Sequence, residues 1–157
     1  MHYPTLTVTV TQTEGYQFLI DFGDALPKLQ ADEVEPIGKG EGPCPEQMLV
    51  AGVTNCLCAS LVFALAKFRQ DAKGISATAS YSIERNERGR LRIAKLDVAI
   101  RLGANAADLP NLDRALAQFE DFCTVSESVQ GGIPVNVSIA DGAGTELSWT
   151  PQLTYAS

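Results

Sequence analysis

The sequence predicts an α+β protein, a mainly antiparallel sheet with two central helices, in a single domain over residues 1–157. Three observations predict it. Residues 5–11 with 16–22, and 76–85 with 91–102, are runs of strand character joined across short turns. Residues 46–68, EQMLVAGVTNCLCASLVFALAKF, form one long stretch without a charge between Glu46 and Lys67. Beyond Pro110, Leu112, Leu116, Phe119 and Cys123 recur at helical spacing. Strands, helix, strands, helix, strands is the order of an α+β fold.

Leu6, Val8 and Val10 alternate with Thr5, Thr7, Thr9 and Thr11, as in a half-buried strand. Glu14-Gly15 makes the turn, and Tyr16 to Phe22 is the hairpin partner. Residues 23–44, rich in Pro, Gly, Asp and Glu, read as a long connection closed by Pro43 and Pro45. The central helix follows, with Pro45 and Glu46 where proline and an anion suit a helix start, and Lys67 and Arg69 in its last turn. Ser76 to Arg85 is a strand, Asn86 to Gly89 a turn, and Leu91 to Leu102 a strand whose parity shift between Ile93 and Leu96 predicts a bulge. GANAA at 103–107 is a loop, and the second helix ends around Cys123. Ile133 to Ile139 and Leu147 to Trp149 are the last expected strands.

The central stretch is apolar on every side, so it must be buried on every side. Its length also suits a membrane span, but Thr54, Asn55 and Ser60 fall mid-segment and no Trp or Tyr belt flanks it, so no membrane is expected. With 12 basic and 19 acidic residues, a net charge of -7, the chain lacks the basic surface that nucleic-acid binding requires. MHYPTLTVTV has neither the basic nor the apolar region of a signal peptide, so a cytoplasmic, reducing location is expected. There, four cysteines suggest redox or metal chemistry rather than structural bridges. No CxxC is present, and Cys56 and Cys58 diverge by about 200° on a helix, so no metal site is expected. His2 is the sole histidine, which removes Ser-His and Cys-His triads and the usual catalytic zinc sites.

The remaining chemistry belongs to thiols. A thiolate attacks a peroxide oxygen to become a sulfenic acid, which a second thiol condenses with to form a disulfide. Cys56 in the apolar helix and Cys123 at a helix end suit that chemistry if the helices cross; the alternative is that both simply fill core space. Cys44, ahead of a helix start, is a lesser redox candidate, and Cys58 reads as core. Asp108, Asp113, Glu120 and Asp121 read as a solvated helix face, and Arg85, Arg88, Arg90 and Arg92 as a charged turn.

Two segments, GPCPEQMLVAGVTNC at 42–56 and FCTVSESVQGGIPV at 122–135, resemble signatures of the OsmC/Ohr family of osmotically inducible and organic-hydroperoxide-resistance proteins. The first matches a Pro-Glu motif spaced ahead of a cysteine; the second matches a Cys-Pro segment, with Thr124 where proline is commoner. The resemblance implies an OsmC-like fold, an intertwined homodimer with sites at the subunit interface, and a cofactor-free peroxidase. Its substrates would be organic or fatty-acid hydroperoxides, and its reductant a dithiol such as a lipoylated protein. By position, Cys56 would be the peroxidatic thiol, Cys123 the resolving thiol, and Glu46 the carboxylate that pairs with an arginine beside them. The chain departs from that pattern: its first arginine is Arg69, and only Lys28 and Lys39 supply side-chain cations ahead of Glu46. A lysine lacks the planar fork of arginine. Lys39, between Gly38 and Gly40, is therefore expected to turn inward and compensate Glu46. The alternative is a noncatalytic dimeric binding or redox-sensing protein.

Overall fold

Gly15, at φ +52°, lets Thr9–Glu14 (β1) turn back on Gln17–Asp21 (β2), and Leu29–Ala31 (β3) pairs on the far side of β2. The computed structural model describes residues 3–131 together with the short strands Ile139–Ala140 and Glu146–Leu147. All described ladders are antiparallel. β3 lies inside the expected connection: three residues are too short to show an alternation, but pairing Phe18 with Ala31 anchors the chain here. β1 begins at Thr9 rather than Thr5 and is exposed along its whole length, with Val8 and Val10 about half exposed. Its apolar residues meet no core within one chain, contrary to the expected half-burial.

Between β3 and the central helix the backbone wraps around one carboxylate. Asp32, 2% exposed, accepts the N–H groups of Glu33 (2.8 Å), Lys39 (3.1 Å) and Glu41 (3.1 Å), and the Gln17 amide (3.3 Å). Burial pushes this carboxyl up, but the Glu41 N–H, the Gln17 amide and the other N–H donors outweigh it and hold it below its ordinary range. Gly38 is required in this wrap, because a Cβ there would collide with the Glu33 carbonyl and the Asp32 side chain.

The wrap delivers Cys44 as N-cap of Pro45–Lys67 (α1), closing a capping box with Gln47, whose side chain accepts the Cys44 N–H at 3.0 Å. α1 packs on Ile75–Arg85 (β4), Leu91–Leu102 (β5) and the helical segments after them. Its Leu61, Ala64 and Leu65 form the core with Ala72 and Ala115, flanked by Phe68, Ile75, Ile100, Leu102, Leu112, Phe119 and Phe122. α1 is long and apolar enough to cross a membrane, yet one face carries this core. The opposite face, from Ala51 and Gly52 through Asn55, Ala59 and Val62 to Ala66, is exposed within the single chain.

β4 and β5 form a long hairpin whose register shifts at the expected place: Ser82 faces Lys95 and Ile83 faces Ile93, leaving Ala94 as the bulged residue. The second helical unit is segmented. Leu112–Leu116 (α2) gives way to a 3-10 turn at Glu120–Phe122, Cys123 becomes extended (φ -81°, ψ 92°), and a new helix, Thr124–Gly131 (α3), starts there. Cys123 thus begins a helix rather than ending one. Of the last expected strands, Ile139 lies in Ile139–Ala140 (β6) and Leu147 in Glu146–Leu147 (β7), which pair; the remainder lies outside the described residues.

Candidate active site

Cys123 is fully buried and caps α3 with its sulfur: Sγ accepts the Ser126 N–H at 3.3 Å, and its carbonyl accepts the Glu127 N–H at 3.0 Å. This reproduces with a thiol what Ser or Asp does at most N-caps. α1 lies against α3 and brings Cys56 to the same helix start. Burial pushes the Cys56 thiol up, but the Val125 N–H, the Cys123 thiol, the Ser60 hydroxyl and the Ser126 N–H all favour its thiolate, and the balance falls below its ordinary value. Cys123 moves the opposite way, because burial and the neighbouring Cys56 sulfur both favour its protonated form. The site therefore shifts two neighbouring thiols in opposite directions, making Cys56 the more readily ionised and Cys123 the more firmly protonated of the two.

Ser60 was not singled out from sequence as a site residue. It is 5% exposed, lies one turn beyond Cys56 on α1, and favours thiolate on both cysteines. The i, i+4 spacing of Cys56 and Ser60 was a readable signal. The α3 N-terminus was not readable as such, because the recurring apolar positions suggested one helix ending at Cys123. A helix start carries partial positive charge on its free N–H groups. Cys58 faces away, and burial alone raises it.

Glu46 is not brought to this pair within one chain. It occupies the first turn of α1, ten residues and about 15 Å of helix rise from Cys56. Its neighbours are Cys44 and Tyr81, whose atoms Sγ and Oη are 3.7 Å apart. The Cys44 contact, then burial, then the nearby Glu46 carboxylate raise the Tyr81 phenol above its ordinary value. Cys44 is buried rather than a free loop thiol. Lys39 does not turn toward Glu46: its ammonium pairs with Glu14 at 3.1 Å on the exposed surface. Lys28 pairs with Asp21 at 3.1 Å. The Asp32 wrap explains the first result, since it holds the Lys39 backbone N–H and leaves the side chain pointing toward β1. Among the described residues no cluster of His, Cys, Asp and Glu has the arrangement of a metal site.

A family model described as OsmC-like protein matches residues 38–138, a span running from the Asp32 wrap through α1 and both cysteines. The chain belongs to the OsmC-like family. Its fold is shared by an OsmC-like protein of unknown function from Vibrio cholerae, at 18% identity and TM-score 0.66, covering 82% of this chain and 95% of that one. It is shared also by an organic hydroperoxide resistance protein from Legionella pneumophila, at 21% identity and TM-score 0.60, covering 83% and 93%. A third is the organic hydroperoxide resistance protein OhrB of Bacillus subtilis, at 18% identity and TM-score 0.59, covering 81% and 91%. No curated protein matches the chain. At these identities the structural likeness establishes the OsmC-like fold. The chemistry of this member rests on its own residues.

Proposed function

We propose that this OsmC-like protein is a thiol-dependent peroxidase that reduces organic hydroperoxides. The observation that carries the reading is the Cys56 sulfur, set against the Cys123 thiol at the start of α3 and ionising more readily than an ordinary thiol. The Cys56 thiolate attacks the terminal peroxide oxygen; an S–O bond forms, the O–O bond breaks, and the alkoxide leaves and takes a proton to become the alcohol. The Cys123 thiol then attacks the sulfenic sulfur, forming the Cys56–Cys123 disulfide and releasing water. A dithiol reductant, of which a lipoylated protein is one source, returns both thiols by becoming a disulfide itself. No cofactor takes part.

Assembly as a homodimer belongs to the same reading. Two features support it: the exposed apolar face of α1 and the fully exposed β1. The midpoint between Glu46 and Cys56 falls at Ala51, beside Gly52, and both are small and exposed. Two α1 helices crossing antiparallel there would set Glu46 of the partner subunit beside Cys56, supplying what one chain separates by about 15 Å.

The deciding experiment is thiol titration before and after one equivalent of cumene hydroperoxide. Loss of two thiols per peroxide consumed, with Cys56 and Cys123 linked, is the expected result. Peroxide left unconsumed at micromolar protein would overturn the reading. A second reading, a redox-sensing or binding member, is favoured by one observation: Lys28 and Lys39 are both engaged by other carboxylates. It predicts that micromolar peroxide is left unconsumed.

A further inference from the structure

The stripe of α1 that carries Cys56 continues to a cation. Phe63 and Lys67 follow at seven and eleven residues, within about 40° of Cys56 around the helix. The Phe63 ring stands edge-on to Phe122, with centroids 5.2 Å apart and planes at 85°. The Lys67 ammonium sits over both rings, 4.3 Å from the Phe122 centroid and 5.5 Å from that of Phe63. Phe122 immediately precedes Cys123, so the aromatic pair borders the thiols. Among the described residues no carboxylate pairs with Lys67, whereas Lys28, Lys39, Lys73 and Lys95 each have one. Phe63 is 53% exposed within the single chain, so an apolar path runs from Cys56 over Phe63 and Phe122 to the ammonium, beside the α1 face given above to the homodimer.

We infer that Lys67 is the anchor for the carboxylate of an amphiphilic hydroperoxide whose chain lies over Phe63 and Phe122 and whose peroxide reaches Cys56. The inference rests on the peroxidase reading and adds a specificity-determining residue to it. Charge complementarity commits the occupant: an ammonium held over two rings, on a helix stripe that ends at the Cys56 sulfur, fits a molecule with an anionic head and a reactive group along its chain. Eleven helical residues span about 16 Å, and a lysine stem leaning back toward the helix start shortens this to about 12–16 Å. An extended carbon chain covers that with roughly ten to thirteen atoms, at about 1.2 Å per bond. The peroxide should therefore stand about that many carbons from the carboxylate. The competing account is that Lys67 merely complements the negative end of α1 while its stem covers the rings.

The test compares kcat/KM for linoleic acid hydroperoxide carrying the peroxide on carbon 13 with kcat/KM for its methyl ester. The wild-type chain should prefer the acid by about 1.4-fold to fivefold, the range for an exposed ion pair, and the preference should shrink with added salt. Lys67→Met should bring the acid-to-ester ratio to about one, and Lys67→Arg should restore it. A readout without turnover uses the unreactive 13-hydroxy acid and the Cys56→Ser protein: calorimetry should show weaker binding of the acid after Lys67→Met is added, and no change for the ester. A ratio near one in the wild-type chain, or a ratio unchanged in Lys67→Met, overturns the anchor while leaving the peroxidase intact. Failure to consume acid, ester or cumene hydroperoxide alike overturns the peroxidase reading itself, and the calorimetric comparison still decides the anchor.

Discussion

Replacing Ser60 by alanine tests the electrostatics of the thiol pair with the least disturbance to packing. Ser60 is buried in the middle of α1, its hydroxyl favours the Cys56 thiolate, and alanine is both smaller by one atom and a better helix former. A hydrogen bond to a charged acceptor is worth about 1.5 kcal/mol at the lower end of its range. The lower end applies because the N–H groups of Val125 and Ser126 and the Cys123 thiol remain. That energy is about a tenfold change in the thiol–thiolate balance. The more basic thiolate is in turn intrinsically more nucleophilic, by about threefold for that change. Well below the Cys56 titration, Ser60→Ala should therefore react about threefold more slowly. Well above it, where both proteins are fully thiolate, the variant should react about threefold faster. The assay is reaction with a small aromatic disulfide across the pH range, read on the Cys56-containing peptide, with cumene hydroperoxide oxidation in parallel. Crossing profiles are the expected result. Superimposed profiles would show that the hydroxyl does nothing for the thiolate, and a uniform loss at every pH would show damage to packing instead.

Cys123→Ser should leave the first oxidation in place but stop the reaction at a Cys56 sulfenic acid, detectable by trapping with a carbon nucleophile; a disulfide to Cys44 or Cys58 instead would deny Cys123 its role. In solution, light scattering should give twice the chain mass of 16.8 kDa at micromolar concentration, and mixing Glu46→Gln with Cys56→Ser chains should recover activity that neither homodimer has, because one complete site forms across the interface. Asp32→Asn should lower Tm by several degrees at pH 7 while leaving Cys56 in place. Since the folded Asp32 carboxyl lies below its unfolded value near 3.9, its contribution is fully present above that value and is lost as pH falls through the folded one. The Tm difference should close in acid, and a difference constant with pH would mean that the carboxylate's charge is not what holds the wrap.

Much of the frame was legible because hydrophobic periodicity and turn residues act locally. Gly15, the Pro45-Glu46 helix start and the Ala94 bulge each follow from a few neighbouring residues. What escaped depends on contacts distant in sequence. Leu29–Ala31 is a strand because Phe18 and Ile20 pair with it, not because three residues favour extension. Helical spacing runs unbroken from Leu112 to Cys123, yet α2 ends at Leu116, a 3-10 turn follows, and the extended backbone of Cys123 lets its sulfur cap α3. Lys39 is a surface lysine because Asp32 holds its backbone and Glu14 its ammonium. The neighbouring of Cys56 and Cys123 was an expectation open to sequence, but the apparatus around them, the α3 start with Ser60, was not.

That apparatus alters where the missing positive charge is to be sought. Reasoning from side chains alone, a half-buried thiol near a carboxylate should be harder to ionise, and an upstream cation seems necessary. The chain instead directs backbone N–H groups at the sulfur. Because Cys123 is extended, the first N–H groups of α3 have no helical partner; the Ser126 N–H goes to the Cys123 sulfur, and the Val125 and Ser126 N–H groups together favour ionisation of the neighbouring Cys56. A helix start costs no lysine or arginine and brings no long side chain into an apolar pocket. It is also fixed in direction, so it favours the thiolate before any substrate arrives. What it does not provide is a forked donor to orient the peroxide, which arginine would supply. On the proposed peroxidase reading, activation and orientation thus come apart. The first would be met within one chain by α3 and Ser60. The second falls to groups outside the thiol pair, and Lys67, holding the far end of an anionic substrate, would supply orientation by tethering rather than by gripping the reacting oxygen.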